Sequence, residues 1–139
     1  MVATALTGCS GGESHLAKAA FVRQGDEICR QAAAEQIKLA SHHKGEVVSG
    51  NFEAVTAVFV PPMERELHRL EALDPPQADE AKVRTILREI KSGVEDAKAD
   101  YLDLFVKETD PFAKANALAQ RYGLKVCAES SHAAIKPRG

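Results

Sequence analysis

The stretch Glu80-Ala-Lys-Val83-Arg-Thr-Ile86-Leu87-Arg-Glu-Ile90-Lys-Ser-Gly-Val94-Glu-Asp-Ala97-Lys-Ala-Asp-Tyr101-Leu-Asp-Leu104 decides the fold. Its apolar side chains recur every three or four residues, the repeat that lines one face of a helix, while charged residues fill the remaining positions. Glu80 and Arg84 stand one turn apart and add a supporting ion pair on the solvated side. A rod with a single apolar stripe has to bury it, and the flanking sequence supplies more rods of the same kind.

Upstream, Val55, Phe59, Met63, Leu67 and Leu70 keep helical spacing until Asp74-Pro75-Pro76 stops the segment. Before that, an alanine-rich segment from about Ala17 to Ser41 sets Phe21, Gly25, Ile28, Ala32 and Leu39 on one side, with Val22, Cys29, Ala33 and Ile37 alongside. Residues 44–50 read as a polar, glycine-containing loop, and Asn51 as the cap of the helix that follows. Downstream, Thr109 and Asp110 offer capping oxygens ahead of Pro111, and Phe112, Ala115, Ala119 and Tyr122 carry the seam to Gly123. No strand-like alternation occurs. The expectation is an all-α, up-down four-helix bundle, with 1–16 a tether and 17–139 one domain; 139 residues suffice for a single core.

The run Leu6-Thr7-Gly8-Cys9 resembles the lipobox at which bacterial lipoprotein precursors are lipidated and cut, and Ser10-Gly11-Gly12 would follow as a flexible tether. Val2-Ala-Thr-Ala-Leu6 reads as the tail of an apolar signal segment whose basic front is missing, so the natural start is expected upstream. The resemblance implies acylation of Cys9 and attachment to the outer face of a bacterial cytoplasmic membrane. Each buried methylene of such an anchor contributes about 0.8 kcal/mol. No apolar run approaches the about 18 residues of a membrane span, so attachment rests on the lipid.

Three cysteines are an odd count, awkward in an oxidising compartment unless one is occupied. With Cys9 lipidated, Cys29 and Cys127 remain as a disulfide pair; the alternative is two inert thiols in a cytosolic protein. Their spacing matches no zinc, redox or haem motif. The topology favours the pair. A fourth helix of about 12 residues descends only some 18 Å from the top of the bundle, and Cys29 lies about 18 Å up the first rod.

Phe21 through Cys29 (Phe-Val-Arg-Gln-Gly-Asp-Glu-Ile-Cys), Leu70-Glu-Ala-Leu73-Asp-Pro-Pro76 and Tyr122-Gly-Leu-Lys-Val-Cys127 together resemble a group of small secreted or lipid-anchored actinobacterial helical proteins. The resemblance covers about three quarters of the chain. It implies origin and architecture and carries over no catalytic residue.

The net charge of −2 comes from nearly balanced acids and bases, and no basic stripe marks a nucleic-acid footprint. His42-His43 with Glu46 could be read as metal ligands, but adjacent histidines at a helix end point apart and more often cap it, so no metal and no cofactor is expected. Glu64 and His68 fall off the seam, and Asp96 and Asp100 read as a solvated face. No nucleophile elbow, phosphate loop or His-Glu-x-x-His segment occurs, so an enzyme is not expected. Pro61-Pro62 interrupts a periodic segment. The pair should kink the helix or, as favoured here, mark a fresh start at Pro61 after a separate short turn. Any ligand pocket is sought beside Phe59, Pro61, Pro62 and Met63. The functional expectation is a binding or scaffolding module of the cell envelope with an unknown protein or small ligand as partner. The alternative is a small-ligand or metal carrier using the bundle core.

Overall fold

The computed structural model describes residues 15–99 and 110–130, and among these every regular element is helical. Helix α1 is Lys18–His42, α2 Lys44–Val48, α3 Phe52–Glu71, α4 Glu80–Ala99, α5 Ala113–Tyr122 and α6 Lys125–Ser130, with a single 3₁₀ turn at Gln77–Asp79. Helices α1, α3, α4 and α5 run up, down, up and down. The chain contacts pair α1 with α3, α3 with α4, and α4 with α5, while α6 packs on α1 and closes the ring. The all-α four-helix bundle is thus the observed architecture, and its fourth corner is shared by two short helices.

The ends of the rods follow local chemistry. Asn51 Oδ1 accepts the Ala54 N–H at 3.3 Å and caps α3. Asp110 Oδ1 accepts the Phe112 N–H at 2.9 Å ahead of α5. Gly123 ends α5 at φ 113°, a left-handed conformation that glycine adopts without steric cost. Gly93 serves a different need, because a Cβ there would lie 2.6 Å from the Phe112 ring and 3.0 Å from the Pro111 carbonyl. Its missing side chain lets α5 sit directly on α4.

Two expectations change. Residues 44–48, read as loop, form α2, a single turn fixed at its start by His43 Nδ1 beside Glu46 at 3.2 Å. Helix α3 does not start again at Pro61; it runs unbroken from Phe52 through both prolines to Glu71. Proline in a helix interior costs about 3 kcal/mol or more in lost hydrogen bonds and steric conflict. Here Val55, Val58, Phe59, Val60, Pro62 and Met63 are all buried across that very point, and burial of each large apolar side chain contributes roughly 1.5–3 kcal/mol. Packing outweighs the local penalty. The buried Gln36 of α1 also reaches across to donate to the Phe59 carbonyl at 3.5 Å.

The core falls into two clusters stacked along the bundle. One gathers Phe21, Ile28, Leu70, Ile86, Tyr122 and Leu124 around the disulfide; the other gathers Val55, Phe59, Met63, Val94 and Phe112. Ile90 of α4 packs against both. Exposed ion pairs, among them Glu80 with Arg84 at 3.9 Å and Glu64 with Lys98 at 3.0 Å, decorate the outside and contribute little each.

Candidate functional site

Cys29 and Cys127 form a disulfide that spans 98 residues of sequence and joins α1 to α6. Both sulfurs are buried, Cys29 completely. A second staple lies one turn away. Asp26 of α1 accepts the backbone N–H groups of Val126 at 3.0 Å and Cys127 at 3.2 Å, satisfying amides at the start of α6 that have no partner within their own helix. A six-residue helix cannot hold itself together in water, so α6 exists because α1 grips it twice.

Glu66 completes this centre. It projects from α3 so that a carboxylate oxygen lies within 4.8 Å of both Cys29 and Cys127 sulfurs. It also borders a cavity of about 20 Å³ at the junction of the two core clusters, walled by Met63, Ile90, Val94, Ala119 and Cys127, with Asn116 the other polar side chain. That volume admits one water-sized guest. Burial pushes the Glu66 carboxyl up to about 8, and no charged neighbour among the described residues contributes to the rise. At neutral pH Glu66 is therefore mostly a neutral acid. Cys29, Glu66 and Cys127 have the atoms of a metal-binding trio, but sulfurs bonded to each other carry no thiolate charge to offer a cation.

A second feature lies at the end of the bundle where α1 begins. A groove of about 550 Å³ opens between α1, α4 and α5, with Ile86, Leu118 and Tyr122 contributing apolar surface and Lys18, Lys82 and Arg121 contributing cations. Asp79, behind it, accepts from Lys82 Nζ at 3.0 Å and from the Tyr122 hydroxyl at 3.2 Å. Those bonds, led by the one from Lys82, hold Asp79 below the usual carboxylate range, while burial and then the Asp79 bond push Tyr122 up to about 12. The Lys18 ammonium stands 4.5 Å over the Tyr122 ring. The opposite end of the bundle carries exposed apolar side chains: Ile37, Val48 and Phe52 are 53%, 77% and 38% exposed. Ile37, expected beside the seam, instead faces out near the end of α1.

The residues singled out in the sequence distribute as follows. Cys29 and Cys127 are brought together. Phe59 and Pro62 are buried in the packing of α3, Pro61 is half-buried, and Met63 borders the cavity against Glu66. His42, His43, Glu64, His68 and Asp96 are exposed. The motif ending in Cys9 lies outside the described residues, as does Asp100. Glu66 was missed, although a signal was present. It falls three residues after Met63 and four before Leu70, on the stripe that those residues bury.

Comparison of the chain with protein-family models, with curated proteins and with solved structures finds no match. Among the described residues, no helix is long and apolar enough to cross a membrane.

Proposed function

We propose that this chain is a lipid-anchored protein of the bacterial cell envelope whose bundle serves as a binding module on the outer face of the cytoplasmic membrane. The pairing of Cys29 with Cys127 carries the proposal. Disulfides of this kind persist in oxidising, extracytoplasmic compartments. With those two thiols consumed, Cys9 is the one cysteine left over, in the sequence context that resembles a lipidation site. The likeness to small actinobacterial lipoproteins agrees with this reading.

For the binding role, the groove beside Tyr122 is the better candidate than the bundle core. A ligand site ordinarily measures about 300–1,000 Å³, a range that the groove's 550 Å³ falls within and the 20 Å³ cavity against Glu66 does not reach. Its apolar surface and its cations, with no acid among the described lining residues, suit an anion that carries an apolar body. Its position near the start of α1 turns it toward the tethered end of the chain. Calorimetric titration with a medium-chain acyl carboxylate, compared with the uncharged alcohol of the same chain length, tests this. The carboxylate is expected to bind at least tenfold more tightly, and Arg121→Glu to remove that preference. Equal binding of the two probes, or none of either, would refute the groove as the site. The exposed Ile37, Val48 and Phe52 support the scaffolding variant of the same reading, with a protein partner at the far end.

A further inference from the structure

We propose that the Cys29–Cys127 disulfide is a reversible redox couple for an envelope dithiol, with Glu66 as the acid that protonates the departing Cys29 sulfur. Three observations support it: the carboxyl within 4.8 Å of both sulfurs, the water-sized cavity beside Glu66 and Cys127, and the second grip of Asp26 on α6.

The chemistry asks for such a group. A reductant thiolate attacks Cys127, the less deeply buried of the two residues. A sulfur–sulfur bond forms between the reductant and Cys127, the Cys29–Cys127 bond breaks, and its electron pair passes to Cys29. Cys29 is completely buried, and a naked thiolate there would be a desolvated charge. The Glu66 carboxyl, within 4.8 Å of the Cys29 sulfur, supplies a proton after a side-chain rotation for which the adjoining cavity leaves room. The second thiol of the dithiol gives up its proton to solvent and displaces Cys127 as a thiolate; Cys127 and Glu66 each then take a proton from solvent. The dithiol leaves as a disulfide, oxidised by two electrons. Oxidation runs the same steps backwards, with Glu66 carboxylate as the base.

Among the described residues, Glu66 is the one acid grouped with the two sulfurs. Among the described residues, the cavity walls from α4 and α5 carry no ionisable group, α6 contributes Cys127, and no histidine or second acid joins Glu66 beside the two sulfurs. Asp26 does not face the cavity; it holds the amides of Val126 and Cys127, which keeps Cys127 near Cys29 once the covalent bond is open. That makes reclosure an intramolecular step.

The test is the rate of reduction of the full chain by dithiothreitol between pH 6 and 10, divided at each pH by the thiolate fraction of the reagent. Alkylation and mass mapping of the Cys29 and Cys127 peptides would follow the reaction without interference from Cys9. The normalised rate is expected to fall roughly tenfold per pH unit above the point where Glu66 ionises, the behaviour of a required general acid. Glu66→Gln keeps the shape and neutrality of the protonated acid, so its folded structure at pH 6–7 should match that of the native chain and its stability there should be no lower. There it is expected to react roughly 10–100-fold more slowly, with no pH dependence of the normalised rate. Partial rescue by Glu66→Asp would fit a proton donor. A normalised rate that is flat or rises with pH, or Glu66→Gln reacting as fast as the native chain at pH 6–7, would overturn the proposal; a rise would mean that ionised Glu66 merely loosens α6.

Discussion

Removing the disulfide, by reduction or by the double replacement Cys29→Ala and Cys127→Ala, is expected to lower the unfolding free energy by about 4–5 kcal/mol. The bond closes a loop of 98 residues, and cross-linking a loop of that length removes much of the conformational freedom of the unfolded chain. For a domain of this size the loss corresponds to a fall in melting temperature of about 10–20 °C. Helix α6 should respond most, because Asp26 would then be its main hold on α1 beyond the packing of Leu124 and Ala128. Thermal denaturation followed by circular dichroism with and without reductant checks the effect, and hydrogen exchange at Val126 and Cys127 would locate it. Melting that is indifferent to reductant would mean the bond adds nothing to the fold.

The second large effect is a decline in stability with rising pH, traced to Glu66. Its carboxyl, raised in the folded state from an ordinary 4.5 to about 8, binds its proton more tightly when folded than when unfolded. Between those two values the folded chain holds more protons than the unfolded one, so stability is fully present below about pH 4.5 and is lost as pH climbs through about 8. Across that window each pH unit carries ~1.4 kcal/mol, and allowing for the partial solvent contact of Glu66 the total is roughly 2–4 kcal/mol. Glu66→Gln should flatten this slope and leave the variant more stable than the native chain at pH 9. His15 slopes in the same sense: burial lowers its pKa, but the Pro75 carbonyl and Asp74 outweigh that and raise it overall. The difference between native chain and variant cancels that contribution. Parallel denaturation curves for the two proteins at pH 5 and pH 9 would sink the assignment to Glu66. Asp79 works in the opposite sense, adding stability that disappears only as pH falls below the carboxylate range.

Much of this architecture can be read from local pattern, because helices announce themselves at a spacing of three and four residues and their ends are marked by particular side chains. Asn51, Asp110 and Gly123 do in the structure what their chemistry implies. The pairing of Cys29 with Cys127 was legible for a similar reason, since rod lengths alone place both cysteines at one height. What escaped were features decided by tertiary contact. The rule for prolines counts lost hydrogen bonds at Pro61 and Pro62 and is silent on the apolar side chains buried across them. Helix α6 is too short to show a period and is held by Asp26, a hundred residues away in sequence. Glu66 lay in plain view on a buried stripe, but whether a glutamate at such a position escapes to solvent or stays inside depends on what the neighbouring helices leave open. The groove around Tyr122 joins the starts of α1 and α4 to the end of α5, a juxtaposition that no single segment reveals.

Intact mass spectrometry of the protein recovered from its native membrane, with and without reductant, tests the lipid anchor and the disulfide together. The expected result is a chain beginning at an acylated Cys9 whose mass increases by one pair of hydrogens on reduction, as opening of Cys29–Cys127 requires. An unmodified chain that retains the residues before Cys9 and carries three free thiols would contradict both.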